Sequence, residues 1–314
     1  MLFKSIMETF RNIYNYTFKK QVKIDNSKAM VPVDYFSDII HEMESYDETD
    51  DVDGDQDIIG TFEFDELKKG NRICLILDNQ RLKVYPEKVH IFMGGSGGYY
   101  SYYMGVSYVL QKNFKLDNVI FSGVSGGTIV NLFLALNIDI DIAFKEWNIP
   151  LLNIIKEYKL GSLFNFSPTA LSYLKSKLPD DAYKKVRDRY YVFTTEFYYL
   201  SKWNSKMLGE WENNDELCSA IMASCQIPIL LGGNVYTYYR NQKYIDGCAT
   251  YDYKENIHSK TYPSIKIYAN LWRPYKLSWL WCWTSSEWHN KIYEWGKQDA
   301  EKNIEYFQQF LQPI

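Results

Sequence analysis

Short apolar runs alternate with longer amphipathic stretches from about residue 71 onward, and this pattern predicts the secondary structure. Short apolar runs bounded by turns are typical of buried strands, whereas apolar residues at i, i+3, i+4 and i+7 indicate helices. Because strands alternate with helices, we predict an α/β fold with a mainly parallel central sheet flanked by helices on both faces. Strands are predicted at 73–77, 89–93, 118–121, 190–200 and 262–271, and helices at 101–112, 128–136 and 216–225.

The two ends of the chain differ from this central part. Residues 3–20 combine helical apolar spacing with several basic residues, which predicts a helix that either docks on its own domain or lies on a membrane surface. The acidic stretch 44–57 does not fit an EF-hand loop and predicts a mobile, solvated segment. Thr284 and Glu287 form a capping-box pattern before an apolar stripe that predicts one long C-terminal helix. We expect three parts, 1–65, 66–275 and 276–314.

Composition excludes several classes of protein. Hydrophobic residues make up 46% of the chain and charged residues 24%, which is ordinary for a globular protein and excludes global disorder. The 35 basic and 39 acidic residues give a net charge of −4, which argues against a nucleic-acid binder that neutralises phosphates. No run of about 18 apolar residues and no secretory leader pattern is present, so we expect a cytoplasmic protein or one held peripherally on a membrane.

The cysteines give no sign of a metal centre or a disulfide framework. There are five of them, an odd number, and no Cys-x-x-Cys pair. Widely scattered cysteines favour a reducing compartment. We therefore predict chemistry without a metal or another cofactor.

One Gly-x-Ser-x-Gly pattern, Gly123–Gly127, stands between a predicted strand and a predicted helix. A serine on such a sharp turn needs small neighbours, here Gly123, Gly126 and Gly127, because strand and helix approach closely. The Ser125 hydroxyl would then project at the carboxyl edge of the sheet, where the helix amino end favours developing negative charge. Ser125 is therefore a candidate nucleophile.

A glycine-rich stretch, Gly94–Gly98, follows the predicted strand at 89–93. Successive backbone N–H groups in such a loop can bind an anion or an oxyanion. A dinucleotide site is excluded because Tyr100 stands at the third glycine position, and a P-loop is excluded because Gly-Lys-Ser/Thr is absent. An oxyanion loop through Gly95, Ser96 and Gly97 is the functional hypothesis, and an ordinary tight turn is the alternative.

A third pattern, Asp246-Gly247, ends a short predicted strand. Most Asp-Gly pairs are simple turns. A carboxylate at the end of a strand can also be directed into a site at the edge of the sheet, since the glycine that follows leaves the backbone unrestricted.

Together these patterns resemble the patatin-like phospholipases over roughly half of the chain, from about residue 88 to about residue 250. The order is that of the family: a glycine-rich loop, Gly-x-Ser-x-Gly, an Ala-Ser…Pro stretch at Ala223–Pro228, and Asp246-Gly247. Three positions depart from the family pattern. Tyr100 replaces a glycine, Tyr99 stands where a basic residue is common, and Cys248 stands where Gly or Ala is usual.

The resemblance implies a catalytic domain over 66–275 that works as a serine carboxylic-ester hydrolase of phospholipase A type. Ser125 would be the nucleophile, Asp246 the proton acceptor, and backbone N–H groups of Gly95, Ser96 and Gly97 the oxyanion hole. The implied substrate is a phospholipid, a lysophospholipid or another acyl lipid.

Two alternatives remain open from the sequence. An α/β-hydrolase triad would add His258 or His289 to Ser125 and Asp246. A catalytically inactive protein that binds lipid is the other, motivated by Tyr100 and by the tryptophan-rich segment Trp279–Trp283. That segment is a candidate for peripheral membrane contact because tryptophan favours the membrane interface. The N-terminal helix is a second candidate, because its pattern is basic and amphipathic.

Overall fold

The computed structural model describes residues 73–78, 81–157, 162–198, 203–228, 231–251, 256–274 and 285–314. All of these except Tyr198 belong to one compact unit of the chain. The predicted N-terminal helix, the acidic stretch 44–57 and the segment Trp279–Trp283 lie outside the described residues.

A sheet of seven strands forms the centre of the described unit. The strands are β3 (Val89–Met93), β4 (Val119–Val124), β5 (Tyr190–Glu196), β6 (Asn204–Leu208), β7 (Thr237–Tyr239), β8 (Gln242–Ile245) and β9 (Ser264–Ile267). Their order in the sheet is β7-β8-β5-β4-β3-β9, and β6 pairs with β5. The four strands β9, β3, β4 and β5 are parallel, whereas β6 and β8 are antiparallel to β5, and β7 is antiparallel to β8.

The strand predicted at 73–77 is present but does not join this sheet. As β1 (Ile73–Asp78) it pairs with β2 (Arg81–Pro86) in a separate antiparallel hairpin. The strand predicted at 262–271 is shorter than expected and spans only β9. The other predicted strands and the three predicted helices of the central part are confirmed within a few residues.

Side chains of successive strand residues lie on opposite faces of the sheet and pack into different hydrophobic clusters. Ile91 and Phe121 belong to the main core, which the larger helices cover, whereas Phe92 and Phe193 pack with Val124 on the opposite face. The helices are α1 (Tyr100–Asn113), α2 (Gly126–Ala135), α3 (Ile140–Ile142), α4 (Ile149–Glu157), α5 (Ser162–Lys177), α6 (Ala182–Lys185), α7 (Asn214–Ser224), α8 (Ile257–Thr261), α9 (Ser286–Lys302) and α10 (Ile304–Gln308). A π-helical segment, Ala143–Asn148, joins α3 to α4.

The C-terminal helix differs from the prediction at both ends. Its N-cap is Ser285, whose side chain accepts the Trp288 N–H, so the capping box predicted for Thr284 and Glu287 is wrong. The predicted single helix is interrupted at Asn303, where α9 ends and α10 begins. The fold class predicted from the sequence is confirmed: a mainly parallel sheet is flanked by helices, the short α8 on one face and the larger helices on the other.

Candidate active site

Strands β4 and β8 meet end to end along one edge of β5. Val124, the last residue of β4, lies opposite Phe193, and Ile245, the last residue of β8, lies opposite Thr195. The other edge of β5 is taken by β6. Because β4 runs parallel to β5 and β8 runs antiparallel, the residues that follow the two strands approach each other from opposite directions. Those residues are Ser125 and Asp246.

Ser125 occupies a strained turn between β4 and α2. Its backbone has φ +50° and ψ −130°, a conformation that L-residues rarely adopt and that persists only where neighbours impose it. Here the Ser125 N–H donates to Ser224 Oγ at 2.8 Å, and the Ser125 carbonyl accepts from Thr128 Oγ1 at 2.6 Å. The residue as a whole is 5% exposed. The turn is thus held at both of its peptide groups.

Glycine is required in this turn because two backbone segments approach it closely, the glycine-rich loop and the start of α2. A Cβ on Gly127 would lie 2.5 Å from the carbonyl oxygens of Met93 and Gly94. A Cβ on Gly123 would lie 2.8 Å from the Gly127 carbonyl carbon. Since these neighbours are backbone atoms, neither position can hold a larger residue without moving the chain.

Asp246 is fixed by three backbone contacts. Its N–H donates to the Gln226 carbonyl at 2.8 Å, its carbonyl accepts from Thr195 Oγ1 at 2.9 Å, and its Oδ1 accepts the Cys248 N–H at 2.8 Å. The residue as a whole is 7% exposed. Oδ2 is buried and has no hydrogen-bond partner among the described residues.

The environment of Asp246 favours its protonated form. Burial raises the pKa of the carboxyl above its ordinary value, and the Cys248 N–H together with the Ser125 side chain partly offsets this rise. A carboxyl that is desolvated in this way is a stronger base when ionised than an exposed aspartate.

The glycine-rich loop passes directly over Ser125. A Cβ on Gly95 would lie 3.7 Å from the Ser125 Cβ, and a Cβ on Gly126 would lie 2.4 Å from Ser96 Oγ. Gly97 has φ +49°, which turns the chain into α1. The backbone N–H groups of Gly95, Ser96 and Gly97 have no hydrogen-bond acceptor in the described part of the chain. Such donors beside a serine hydroxyl can bind an oxyanion.

A cavity of about 170 Å³ adjoins this arrangement. Its walls are the rings of Phe92, Tyr251 and Tyr268, the side chains of Val124 and Cys248, and the Gly94–Gly95 backbone. Tyr100 does not line it. The Tyr100 hydroxyl instead donates to Asn148 Oδ1 in the π-helical segment, and its ring lies beside His289.

Neither histidine considered for a triad contacts Ser125 or Asp246 among the described residues. His258 packs its ring against Tyr191 and His90, near the start of the strands. His289 Nδ1 lies 2.6 Å from Ser101 Oγ on α1. The described residues include no group of three or more His, Cys, Asp or Glu side chains that could hold a metal ion.

Two positioning residues, Ser224 and Gln226, were not assigned roles from the sequence. They lie in the Ala223–Pro228 stretch, and they hold Ser125 and Asp246 respectively. The signal available in the sequence was a small polar residue, Ser224, directly after the apolar run 220–223 at the end of α7.

The profile of the Patatin-like phospholipase family matches residues 91–253 of the chain. This range includes the glycine-rich loop, Ser125 and Asp246, and it is about half of the sequence. The chain therefore belongs to the patatin-like phospholipase family, in agreement with the fold.

Two curated relatives share the name omega-hydroxyceramide transacylase. The protein of Mus musculus is 26% identical over 181 residues, which are 54% of this chain and 29% of the relative. The protein of Homo sapiens is 25% identical over 181 residues, 54% of this chain and 32% of the relative. The chain thus spans about a third of the length of these relatives.

Two solved structures resemble the fold more distantly. VipD from Legionella pneumophila has a TM-score of 0.41 at 13% identity, over 64% of this chain and 53% of that one. ExoU in the ExoU–SpcU complex of Pseudomonas aeruginosa has a TM-score of 0.34 at 11% identity, over 82% of this chain and 62% of that one. Among the described residues, no helix combines the length and the apolar character needed to cross a bilayer.

Proposed function

We propose that this protein is a lipid acyl hydrolase in which Ser125 is the nucleophile and Asp246 its proton acceptor. The observation that carries the proposal is the meeting of these two residues at the gap between β4 and β8 on one edge of β5. Family membership supports acyl transfer on lipids in general. The substrate is then an acyl ester of a phospholipid, a lysophospholipid or a similar lipid.

The reaction proceeds in two steps through an acyl-enzyme. Ser125 Oγ attacks the ester carbonyl carbon while its proton passes to the Asp246 carboxylate, and the N–H groups of Gly95, Ser96 and Gly97 bind the oxyanion. Collapse of the tetrahedral intermediate breaks the ester C–O bond, and the leaving alkoxide takes the proton from Asp246. Water then attacks the acyl-serine, gives its proton to Asp246, and releases the fatty acid as Ser125 Oγ regains a proton.

A transacylase is the second candidate, and the name of the curated relatives favours it. The first step would be the same, and the hydroxyl group of a second lipid would replace water in the second step. Product analysis with and without an added hydroxylated lipid separates the two. A hydrolase releases only the free acid, whereas a transacylase forms a new ester when the acceptor is present.

The experiment for the proposed function is labelling with a fluorophosphonate, followed by intact mass measurement. We expect one adduct on the wild type and none on Ser125→Ala or Asp246→Asn. Ser107→Ala is the matched control, since Ser107 is a buried serine whose hydroxyl has no partner among the described residues. His258→Ala is expected to keep the adduct.

Three results would overturn the proposal. Labelling that persists in Ser125→Ala would place the reactive group elsewhere. A folded wild type that acquires no adduct would favour the inactive lipid-binding alternative, and loss of labelling in His258→Ala alone would restore the triad.

A further inference from the structure

The hydroxyl group of Tyr103 contacts the backbone of the glycine-rich loop. Tyr103 lies in α1 and is fully buried, and its hydroxyl donates to the Gly95 carbonyl oxygen at 3.4 Å. Among the described residues no other donor reaches this carbonyl. Burial raises the pKa of Tyr103 well above its ordinary value, so the hydroxyl keeps its proton at neutral pH. It is therefore a donor held against one peptide group of the loop.

That peptide group also carries the Ser96 N–H, one of the donors assigned to the oxyanion hole under the proposed function. The peptide bond between Gly95 and Ser96 is trans. A trans peptide is planar, and its C=O and N–H bonds point in opposite directions. By holding the carbonyl oxygen, Tyr103 therefore fixes the direction of the Ser96 N–H as well.

Tyr103 and Ser125 approach the loop from different sides. A Cβ on Gly94 would lie 3.6 Å from the Tyr103 hydroxyl oxygen. A Cβ on the next residue, Gly95, would instead lie 3.7 Å from the Ser125 Cβ. Because the carbonyl of the Gly95–Ser96 peptide is directed to the side of the tyrosine, its N–H is left to point to the side of the nucleophile.

Helix α1 gives the Tyr103 ring a fixed position. It crosses α9 at two glycines, where the two helix backbones touch. A Cβ on Gly105 would overlap the Tyr293 carbonyl oxygen, and a Cβ on Gly296 would overlap the Tyr102 carbonyl oxygen. A positioning group on such a rigid element holds its partner more precisely than a group on a loop.

From these contacts we propose that Tyr103 is a positioning residue for the oxyanion hole, and that its hydroxyl orients the Gly95–Ser96 peptide so that the Ser96 N–H points at the oxyanion. This inference rests on the proposed function, because it requires acyl transfer at Ser125. The hydrogen bond also polarises the peptide, which makes the Ser96 N–H a stronger donor. Tyr103 acts through the peptide group and does not touch the substrate.

The experiment compares hydrolysis of 4-nitrophenyl butyrate with hydrolysis of its thiono analogue, in which sulfur replaces the carbonyl oxygen. Sulfur is a weak hydrogen-bond acceptor, so the thiono ester gains little from the oxyanion hole. The ratio of the two kcat/KM values, oxo over thiono, therefore measures how well the N–H donors are placed.

Tyr103→Phe removes the hydroxyl and keeps the ring. Loss of a whole oxyanion donor costs about 10²–10³ in kcat, and here one donor is misdirected rather than removed. We therefore expect the oxo-to-thiono ratio to fall by about tenfold. The fall comes from kcat of the oxo ester, while its KM stays near the wild-type value, because Tyr103 does not contact the substrate.

Tyr102→Phe is the matched control. Tyr102 is the neighbouring buried tyrosine of α1, and its hydroxyl donates to Asp299 Oδ2 on α9 at 2.8 Å. This variant also loses one buried hydroxyl group from the same helix. A general loss of folded protein lowers the rates of both esters equally and leaves their ratio unchanged, so we expect Tyr102→Phe to keep the wild-type ratio. A melting curve accompanies each variant.

A second measurement serves if Tyr103→Phe does not fold. Incorporation of 3-fluorotyrosine at position 103 keeps the ring and the hydroxyl, and the fluorine makes the hydroxyl a stronger donor. The peptide is then more strongly polarised, and we expect the oxo-to-thiono ratio to rise above the wild-type value.

The outcomes separate this inference from the proposed function. Hydrolysis that depends on Ser125, with a ratio that neither Tyr103→Phe nor 3-fluorotyrosine changes, would overturn the role of Tyr103 and leave the Ser125 chemistry intact. An equal fall of the ratio in Tyr102→Phe would overturn it too, because the effect would then belong to the helix. A folded wild type that releases 4-nitrophenol from neither ester would overturn both.

Discussion

Ser224 connects Ser125 to strand β5 through a single hydroxyl group. Its Oγ accepts the Ser125 N–H at 2.8 Å and donates to the Phe193 carbonyl at 2.6 Å. The strained turn is therefore attached to the strand against which β4 and β8 are both registered.

Ser224→Ala would leave two buried backbone groups, the Ser125 N–H and the Phe193 carbonyl, without partners. We expect a loss of about 1–3 kcal/mol of stability for each group, measured by urea unfolding. Because the turn loses one of its two anchors, we also expect fluorophosphonate labelling to slow by about tenfold or more. The matched substitution Ser107→Ala removes no partnered hydroxyl and is expected to change both quantities little. An unchanged labelling rate in Ser224→Ala would show that the turn does not depend on Ser224.

The raised pKa of Asp246 predicts how labelling depends on pH. The carboxylate is the base, so the rate falls as pH decreases through the pKa of Asp246. Since burial raises that pKa, the midpoint of the acidic limb lies above the value of about 3.9 for an ordinary aspartate. His258→Ala is expected to keep the same limb. A midpoint that disappears in this variant would assign the titration to the histidine.

The lowered pKa of His90 predicts that the protein loses stability in acid. His90 is fully buried between Ser122 and Ser264, and burial, with the charges of His258 and Lys266, lowers its pKa to about 3. The unfolded chain has an ordinary histidine pKa of about 6.5, so it binds a proton first as the pH falls. The stabilising contribution of neutral His90 is complete above that value and is lost between it and about pH 3.

From pH 7.5 to pH 5 this loss amounts to about 2 kcal/mol. We expect His90→Gln, which cannot titrate, to have a smaller change in unfolding free energy over the same range. For each protein, the unfolding free energy at pH 5 is compared with that at pH 7.5. The comparison is therefore independent of any stability that the substitution itself removes at both pH values. Equal pH dependence in the two proteins would remove His90 as its source.

Tyr100 is the departure from the family pattern that raised the question of an inactive protein. Its hydroxyl bonds to Asn148, and Asn148 Nδ2 in turn donates to Ser101 Oγ at 3.1 Å. We expect Tyr100→Gly, which restores the family residue, to destabilise the fold by about 3–5 kcal/mol without faster labelling, because it empties a core site. Tyr100→Phe keeps the ring and isolates the effect of the hydroxyl. Faster labelling of Tyr100→Gly would show that the tyrosine obstructs the site.

The sequence was sufficient to predict the residues that local geometry requires. Ser125 between small residues and Gly95–Gly97 after a strand were predicted as site residues because a sharp turn and a close backbone approach exclude larger side chains. The structure places them beside each other, and their catalytic roles stay a prediction. The helix at 101–112 and the strand at 89–93 followed from apolar periodicity alone.

Contacts between distant parts of the chain could not be predicted in this way. The partner of Tyr100 is Asn148 in a π-helical segment, and no local pattern indicates that pairing. The pairing of β1 with β2 outside the main sheet could not be predicted either, because an apolar run does not specify which strand it pairs with. At Thr284 the pattern was one residue out of register, because Ser285 offers an equally good cap.

The shared edge of β5 means that the length of chain between Ser125 and Asp246 does not determine the distance between them. The strand before each residue is paired with β5, and this pairing sets the position of the residue. Helices α3 to α6 lie in the intervening chain and do not set it. An insertion between α3 and α6 therefore leaves Ser125 and Asp246 in place. A shift in the register of either β4 or β8, even by one residue, separates them and turns their side chains to different faces of the sheet.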